Sequence, residues 1–343
     1  IFAYDVLPLK KGDNMISMLP MAHMYGMAFE FIYEFCKGCH IFFLTRLPSP
    51  KIIFQAFQEV KPKAVISVPL IIEKIIKKSV LPKLQTPTMK VLMKVPILND
   101  KIRQKVCKQM IDAFGGDFYE VIIGGAAFNQ EVETFLFNMG FPFTVGYGTT
   151  ECAPILGYID YKDFKPGTCG KAAPRMDVRI KSADPQNIVG EIIAKGPNVM
   201  LGYFKNPEAT AATIDKDGWY HTGDLGTIDA DGYITIRGRS KNMLLGANGQ
   251  NIYPEEIEDK LNNLPLVSES VVVQREDKFY ALVYADPDAT NGMTPEEIKT
   301  QMEQNRKDLN AAIPAYEQIT AIELQTQEFE KTPKKSIKRY LYK

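Results

Sequence analysis

The residues with the most chemistry between them stand in one hexapeptide, Gly146-Tyr147-Gly148-Thr149-Thr150-Glu151, which follows the apolar run at residues 141–145. Gly146 and Gly148 let backbone approach a ligand closely, and two hydroxyls, a carboxylate and an aromatic ring stand beside them. In a nucleotide site the Tyr147 ring would stack on a base and Thr150 would donate to a phosphate oxygen. Glu151 would hold Mg²⁺, which takes carboxylate and phosphate oxygens. A polar loop after a strand is the plainer reading, and both stay open on chemistry alone, because loops at strand ends are also where α/β proteins bind ligands.

Three other constellations carry functional groups. Gly124-Gly125-Ala126-Ala127 closes another strand-like run with small residues, a floor for a flat ring, although its spacing is not that of a dinucleotide fingerprint. Trp219-Tyr220-His221-Thr222-Gly223-Asp224 sets a carboxylate after a glycine, suited to accepting from a pair of ribose hydroxyls or equally to a buried turn. Gly238-Arg239-Ser240-Lys241 offers, in Arg239, a permanent charge and a planar donor fork for phosphate or ribose oxygens. Cys36-Lys37-Gly38-Cys39-His40 has the spacing of covalent haem attachment. No export signal accompanies it and it opens an apolar run, so packing is the better account. A zinc site needs about four ligands, and no second Cys or His pair lies nearby in sequence. Cys152 beside Glu151 reads as packing.

These groups need a scaffold, and the apolar runs supply one. Runs at residues 14–19, 39–44, 64–68 and 121–123 alternate with helix-period stretches at 50–60 and 69–80, the pattern of a mostly parallel sheet covered by helices. From residue 157 the character changes to short segments separated by turn signals such as Asp217-Gly218 and Asp231-Gly232, a small antiparallel, barrel-like β unit. After Arg239, a helix at residues 254–262 leads to strands at 270–273 and 279–284. A second helix then starts at Thr294 with Pro295 first and Glu297 three residues on, a capping box. The expected organisation is an α/β subdomain over residues 1–156, a β subdomain over 157–238 and a small mobile α+β domain over 239–343, with the hinge at residues 237–241.

Composition bounds the partners. Forty-one basic residues balance forty-one acidic ones, so no global field draws the chain toward nucleic acid or an anionic membrane. The most apolar early stretch, residues 27–44, is interrupted by Glu30, Glu34 and Lys37 and is expected to be core rather than a span of about 20 apolar residues. Peripheral membrane contact and oligomeric state are left open. No signal peptide opens the chain and five cysteines make no disulfide framework at this length, which points to the cytoplasm. Residues 5–17 already run like the middle of a domain, so a preceding segment is expected.

Taken together and in order, the motifs resemble the adenylate-forming superfamily of acyl-CoA synthetases, luciferases and peptide-synthetase adenylation domains. The resemblance covers nearly the whole chain. It includes Leu19-Pro20-Met21-Ala22-His23-Met24-Tyr25-Gly26, Gly124-Gly125-Ala126, the Gly146 to Glu151 loop, and Gly190-Glu191-Ile192. It continues through Gly202-Tyr203-Phe204-Lys205-Asn206-Pro207-Glu208-Ala209-Thr210, the Trp219 to Asp224 segment and the Gly238 to Glu258 stretch. The branch it is most similar to is that of bacterial fatty acyl-CoA synthetases. The resemblance implies that Tyr147 stacks on adenine within a nucleotide site that includes Gly124, Gly125, Ala126, Gly148 and Thr149. It further implies that Thr150 meets the α-phosphate, Glu151 ligates magnesium, Asp224 clamps the ribose and Arg239 adds a second ribose or phosphate contact. Lys241 falls at the hinge, His23 and Gly146 beside the acyl pocket, and Gly249 at the entry for the coenzyme A thiol arm. The implied substrates are a carboxylic acid, ATP and coenzyme A, joined through acyl-AMP with release of pyrophosphate and then AMP.

Two departures from the family pattern bear on activity. The phosphate-cradling Ser/Thr/Gly-rich loop has no counterpart before Leu19, so the chain by itself is expected to adenylate poorly. The family's Thr-Pro-x-Gly-Lys is matched by Thr332-Pro333-Lys334-Lys335-Ser336, which sets serine at the catalytic lysine's place and makes Lys335 the expected substitute, with Lys338 next. A solvated basic tail is the plainer reading. Delivery of the acyl group to a carrier protein, and a non-catalytic homologue that only binds nucleotide or acyl-AMP, remain the competing functions.

Overall fold

The computed structural model describes residues 2–45, 49–84, 86, 96–246, 249–332 and 337–342. The chain divides into two compact units. One comprises Ile1–Gln186, Ile192–Thr222 and Ile228–Thr235, the other Asn187–Glu191, Gly223–Thr227 and Ile236–Lys343.

The first unit is organised on a parallel sheet of Val65–Ser67, Val121–Ile123 and Phe143–Val145, with Val121–Ile123 in the middle. Every residue of the three strands is buried. That is why they are mostly apolar rather than alternating, with Ser67 and Thr144 the buried exceptions. Asn14–Ser17 and His40–Phe43 form a second parallel pair. Helix Pro50–Val60 starts on Ser49, whose hydroxyl accepts from the Ile52 N–H at 3.5 Å, and buries Ile53, Phe57 and Val60. Phe57 stacks on Phe114 with ring centroids 5.1 Å apart. Helix Gln130–Met139 is capped by Asn129 and stops at Gly140, whose φ of 71° a side-chain-bearing residue rarely adopts. Tyr147–Gly148, Ile155–Tyr158 and Lys171–Ala172 make an antiparallel sheet.

A four-stranded sheet runs in the order Ile234–Arg239, Tyr220–Ile228, Gly190–Lys195, Asp177–Lys181. Burial alternates strictly along Asp177–Lys181, as a half-covered strand requires. The barrel-like closure expected of this region does not occur among the described residues: the strand order is linear, and the outer strand Ile234–Arg239 is met only at its start, where the Ile234 N–H donates to the Gly170 carbonyl at 2.8 Å and the Cys169 N–H to the Ile234 carbonyl at 2.9 Å.

The second unit carries the sheet Val267–Arg275, Lys278–Ala285, Ile319–Gln325, antiparallel in its first pair and parallel in its second. Helices Pro254–Leu261 and Pro295–Ala312 belong to it, and Thr294 and Glu297 close the expected capping box. Ile257, Leu261, Val272, Ala281, Val283 and Leu309 form its core. The tail folds back on this unit. Arg339 Nη1 donates to both oxygens of Glu258 at 2.7 and 2.6 Å, and Nη2 donates to the Val272 carbonyl at 3.3 Å.

Residues 27–44 depart from expectation. Glu30 and Glu34, whose charge should mark the surface, are 0% exposed, whereas Phe35 is 70% and Phe43 53% exposed. The reason is a π-helical turn at Ala28–Ile32, which shifts the phase of the helix and rotates Glu30 inward. There its Oε2 accepts from the Met18 and Leu19 N–H groups at 3.1 and 2.8 Å. The stretch is therefore part core and part open apolar face.

Candidate functional site

The parallel sheet brings three of the motifs together at the carboxyl ends of its strands. Gly124 follows Val121–Ile123 and Gly146 follows Phe143–Val145, and the Gly146 N–H donates to the Ile123 carbonyl at 2.8 Å. The two glycine loops thus leave adjacent strands side by side, the position at which open α/β sheets receive ligands. His23 brings the third motif: its Nδ1 accepts from the Tyr25 N–H at 3.2 Å and so caps the short helix Met24–Met27. Tyr25 then reaches the sheet, its hydroxyl donating to the Ile122 carbonyl at 3.2 Å. A Cβ at Gly124 would stand 3.3 Å from the tip of that ring and 3.4 Å from the Gly146 carbonyl oxygen. The absence of side chains here is what lets three segments meet.

Gly148 is held more tightly still, since a Cβ there would lie 1.8 Å from the Pro154 carbonyl oxygen. Past it the chain makes a single turn of 3₁₀ helix over Thr150–Cys152, with Thr150 exposed and Cys152 buried. Burial pushes the Cys152 thiol up to about 11, in keeping with a packing role. Tyr147, read as a stacking ring, is only 7% exposed and lies in the main core cluster, so little of it is open to a ligand. Gly125 and Ala126 are exposed at the turn beyond Gly124.

Glu151 is half-buried, and its Oε1 accepts from the Tyr203 hydroxyl at 2.9 Å. Its main-chain carbonyl accepts from the Met200 N–H at 2.7 Å. Tyr203 lies in the quoted Gly202 to Thr210 motif, to which sequence reasoning gave no role; only the recurrence of tyrosine after glycine there could have marked it. Glu30 and Tyr25 were missed as well, because nothing in their spacing announces a buried carboxylate or a ring aimed at a sheet.

In the second unit, Asp224 on Tyr220–Ile228 and Arg239 at the end of Ile234–Arg239 face each other across neighbouring strands, with Arg239 Nε 2.9 Å from Asp224 Oδ1. Gly223 precedes them at φ 70°, and its carbonyl accepts from the Ser240 N–H at 2.9 Å. Lys241 is exposed in a turn that closes on the Arg239 carbonyl, which accepts from the Asn242 and Met243 N–H groups at 3.0 and 3.1 Å. Gly249, at φ 78°, is exposed just before Asn251–Ile252, with nothing within 4 Å of where a Cβ would stand. Lys335 lies outside the described residues. Lys338 is engaged by Glu330, 3.0 Å away.

Among the described residues no cluster of three or more His, Cys, Asp or Glu side chains could cage a metal, and no helix is long and apolar enough to cross a membrane. A cation held at Glu151 would therefore be of the kind that takes one carboxylate and completes its shell with phosphate oxygens and water, which fits Mg²⁺.

Over 319 residues the chain is 30% identical to the long-chain-fatty-acid–CoA ligase FadD15 of Mycobacterium bovis, covering 87% of this chain and 51% of that protein. The chain thus spans about half the length of that relative. It is 41% identical over 150 residues to the indoleacetate–CoA ligase of Aromatoleum aromaticum, covering 42% of this chain and 29% of the ligase. In fold it is similar to ATP-bound MatB from Rhodopseudomonas palustris, with a TM-score of 0.76 at 22% identity over 99% of this chain and 61% of that one. The o-succinylbenzoate CoA synthetase MenE of Bacillus subtilis gives 0.75 at 20% identity, over 99% and 63%. The family model for the AMP-binding enzyme C-terminal domain matches residues 241–342. Because the model for the AMP-binding enzymes themselves matches residues 2–204, more than half of the 343, and precedes that domain in order, the chain belongs to the AMP-binding enzyme family.

Proposed function

We propose that the intact protein is an AMP-forming acyl-CoA ligase acting on medium- or long-chain fatty acids. The observation that carries the reading is the convergence of the His23–Tyr25 segment, the Gly124 turn and the Gly146 loop at adjacent strand ends. The fatty-acid assignment is supported by the extent of the match to a long-chain ligase, 87% of this chain against 42% for the indoleacetate ligase.

The carboxylate substrate attacks the α-phosphorus of ATP, forming acyl-AMP and releasing pyrophosphate; the coenzyme A thiol then attacks the acyl carbon and expels AMP. The Gly124–Ala126 floor and the ring of Tyr147 receive the adenine, with the amides around Gly148 and Thr149 beside it. Thr150 donates to the α-phosphate, and Asp224 with Arg239 takes the ribose. Glu151 would hold Mg²⁺, which supplies neutralising charge to the phosphates. His23 and Gly146 border the acyl chain, Gly249 the thiol arm, and Lys335 the reacting carboxylate. Residues 1–156, 157–238 and 239–343 act as α/β, β and lid parts, with backbone rotation at Lys241 presenting the lid between the two steps. None of the five cysteines is in a disulfide, which suits a reducing cytoplasm.

The test is acid-dependent ATP–pyrophosphate exchange by the intact protein, followed by thioester formation, across fatty acids of increasing length and a set of aryl acids. Exchange and coenzyme A thioester with fatty acids are expected. Exchange without any acid dependence would overturn the reading, and thioester on a holo-carrier protein but not on coenzyme A would replace the acceptor.

A further inference from the structure

The segment from Gly202 to Thr210 is built as a bracket. Gly202 has a φ of 149°, and a Cβ there would meet Thr210 Cγ2 at 2.8 Å and Oγ1 at 2.9 Å. Thr210 can come so close only because glycine leaves the space. Its Oγ1 accepts from the Tyr203 N–H at 2.9 Å and donates to the Asn206 carbonyl at 2.9 Å. Asn206 caps helix Pro207–Thr213 by accepting from the Ala209 N–H at 3.0 Å, and its own N–H returns to the Tyr203 carbonyl at 3.1 Å. Both main-chain groups of Tyr203 are thus fixed to the root of that helix. At the other end of the side chain, the hydroxyl donates to Glu151 Oε1 at 2.9 Å, while the Met200 N–H holds the Glu151 carbonyl at 2.7 Å. Glycine, tyrosine, asparagine and threonine at this spacing therefore serve one end: they aim a phenol at one oxygen of one carboxylate.

We propose that Tyr203 is a positioning residue for cation binding, its hydroxyl fixing the Glu151 carboxylate by Oε1 and leaving Oε2 for Mg²⁺. The inference rests on the reading of Glu151 as the metal ligand. A partner that fixes a ligand's orientation is commonly worth 10- to 100-fold in metal affinity, whereas a hydrogen bond from a tyrosine that is 37% exposed contributes little to folding.

The probe is Mn²⁺ in place of Mg²⁺, titrated into the intact protein with saturating ATP, with free Mn²⁺ read by its electron paramagnetic resonance signal. Tyr203→Phe is expected to weaken Mn²⁺ binding about 10-fold and to leave metal-free AMP binding unchanged. Thr210→Val, which removes the acceptor for the Tyr203 N–H, should weaken it less, and Thr210→Ser should restore the parent value. Unchanged Mn²⁺ affinity in a folded Tyr203→Phe protein overturns the inference. Should that variant fail to fold, parent-like Mn²⁺ binding by both Thr210 variants overturns it instead. Glu151→Gln separates the two readings: if it too binds Mn²⁺ as the parent does, the ligand assignment has failed, and if it alone loses affinity, only the role of Tyr203 has.

Discussion

Arg239 Nε lies 2.9 Å from Asp224 Oδ1, and the two ends of this ion pair are unequally wet: the carboxylate side chain is 6% exposed and the guanidinium 62%. The buried member depends on its partner, while the exposed fork keeps donors for a ligand. Asp224→Asn is expected to lower AMP affinity about 10-fold or more, as loss of hydrogen bonds to a charged group of about 1.5–3 kcal/mol would do. Arg239→Lys should also lose affinity, because an ammonium cannot replace the fork. Calorimetric titration with AMP checks both, and unaltered affinity in Asp224→Asn would exclude the ribose contact.

Glu30 and Glu34 make stability fall as pH rises. Burial pushes them from an ordinary 4.5 up to about 8 and about 9, Glu34 further because Glu30 lies beside it. Below 4.5 both are protonated folded or unfolded; above it the unfolded chain releases protons that the folded chain retains, so stability drops until about pH 9. Melting temperatures measured between pH 5 and pH 9 should decline, and Glu34→Gln should flatten the decline. A flat profile in the parent would refute the assignment.

Gly148→Ala should be poorly tolerated. Its new Cβ would meet main chain at 1.8 Å rather than a movable side chain, so the loop must shift. A loss of about 1–3 kcal/mol in stability, with a fall in nucleotide affinity, is expected from chemical denaturation and AMP titration of the variant.

The tail of the second unit hangs on Arg339 and Glu258. Removing the guanidinium leaves Glu258, 10% exposed, without its bidentate partner. Arg339→Met is expected to destabilise this unit by about 3–5 kcal/mol, measured by urea unfolding, with Glu258→Gln/Arg339→Met recovering part of the loss.

Lys338 and Lys335 should separate kinetically. Because Lys338 is paired with Glu330 at 3.0 Å, Lys338→Ala is expected to retain ATP–pyrophosphate exchange, whereas Lys335→Ala should abolish most of it. Parent-like exchange in Lys335→Ala would remove Lys335 from the chemistry.

The strands of the parallel sheet could be read from sequence because both their faces are covered, which leaves mostly apolar residues at 65–67, 121–123 and 143–145, with only Ser67 and Thr144 as buried polar members. The Thr294 cap could be read because it is decided within four residues. What could not be read depends on phase or on distant partners. A π turn turned Glu30 inward, and no local rule distinguishes a glutamate that interrupts an apolar run at the surface from one that braces a loop in the core. Tyr203 illustrates the second case, since its partner Glu151 lies 52 residues away along the chain.

The exposure of Ile32, Phe35, Phe42 and Phe43, each 45% or more, has a practical corollary. Fluorescent dyes that report loosely packed proteins bind to exposed apolar surface of any origin. A preparation of this polypeptide should therefore light up with such dyes, and cling to hydrophobic chromatography media, even when its side chains are in their native places. Near-ultraviolet circular dichroism, which registers fixed aromatic packing, is the appropriate measure of its integrity.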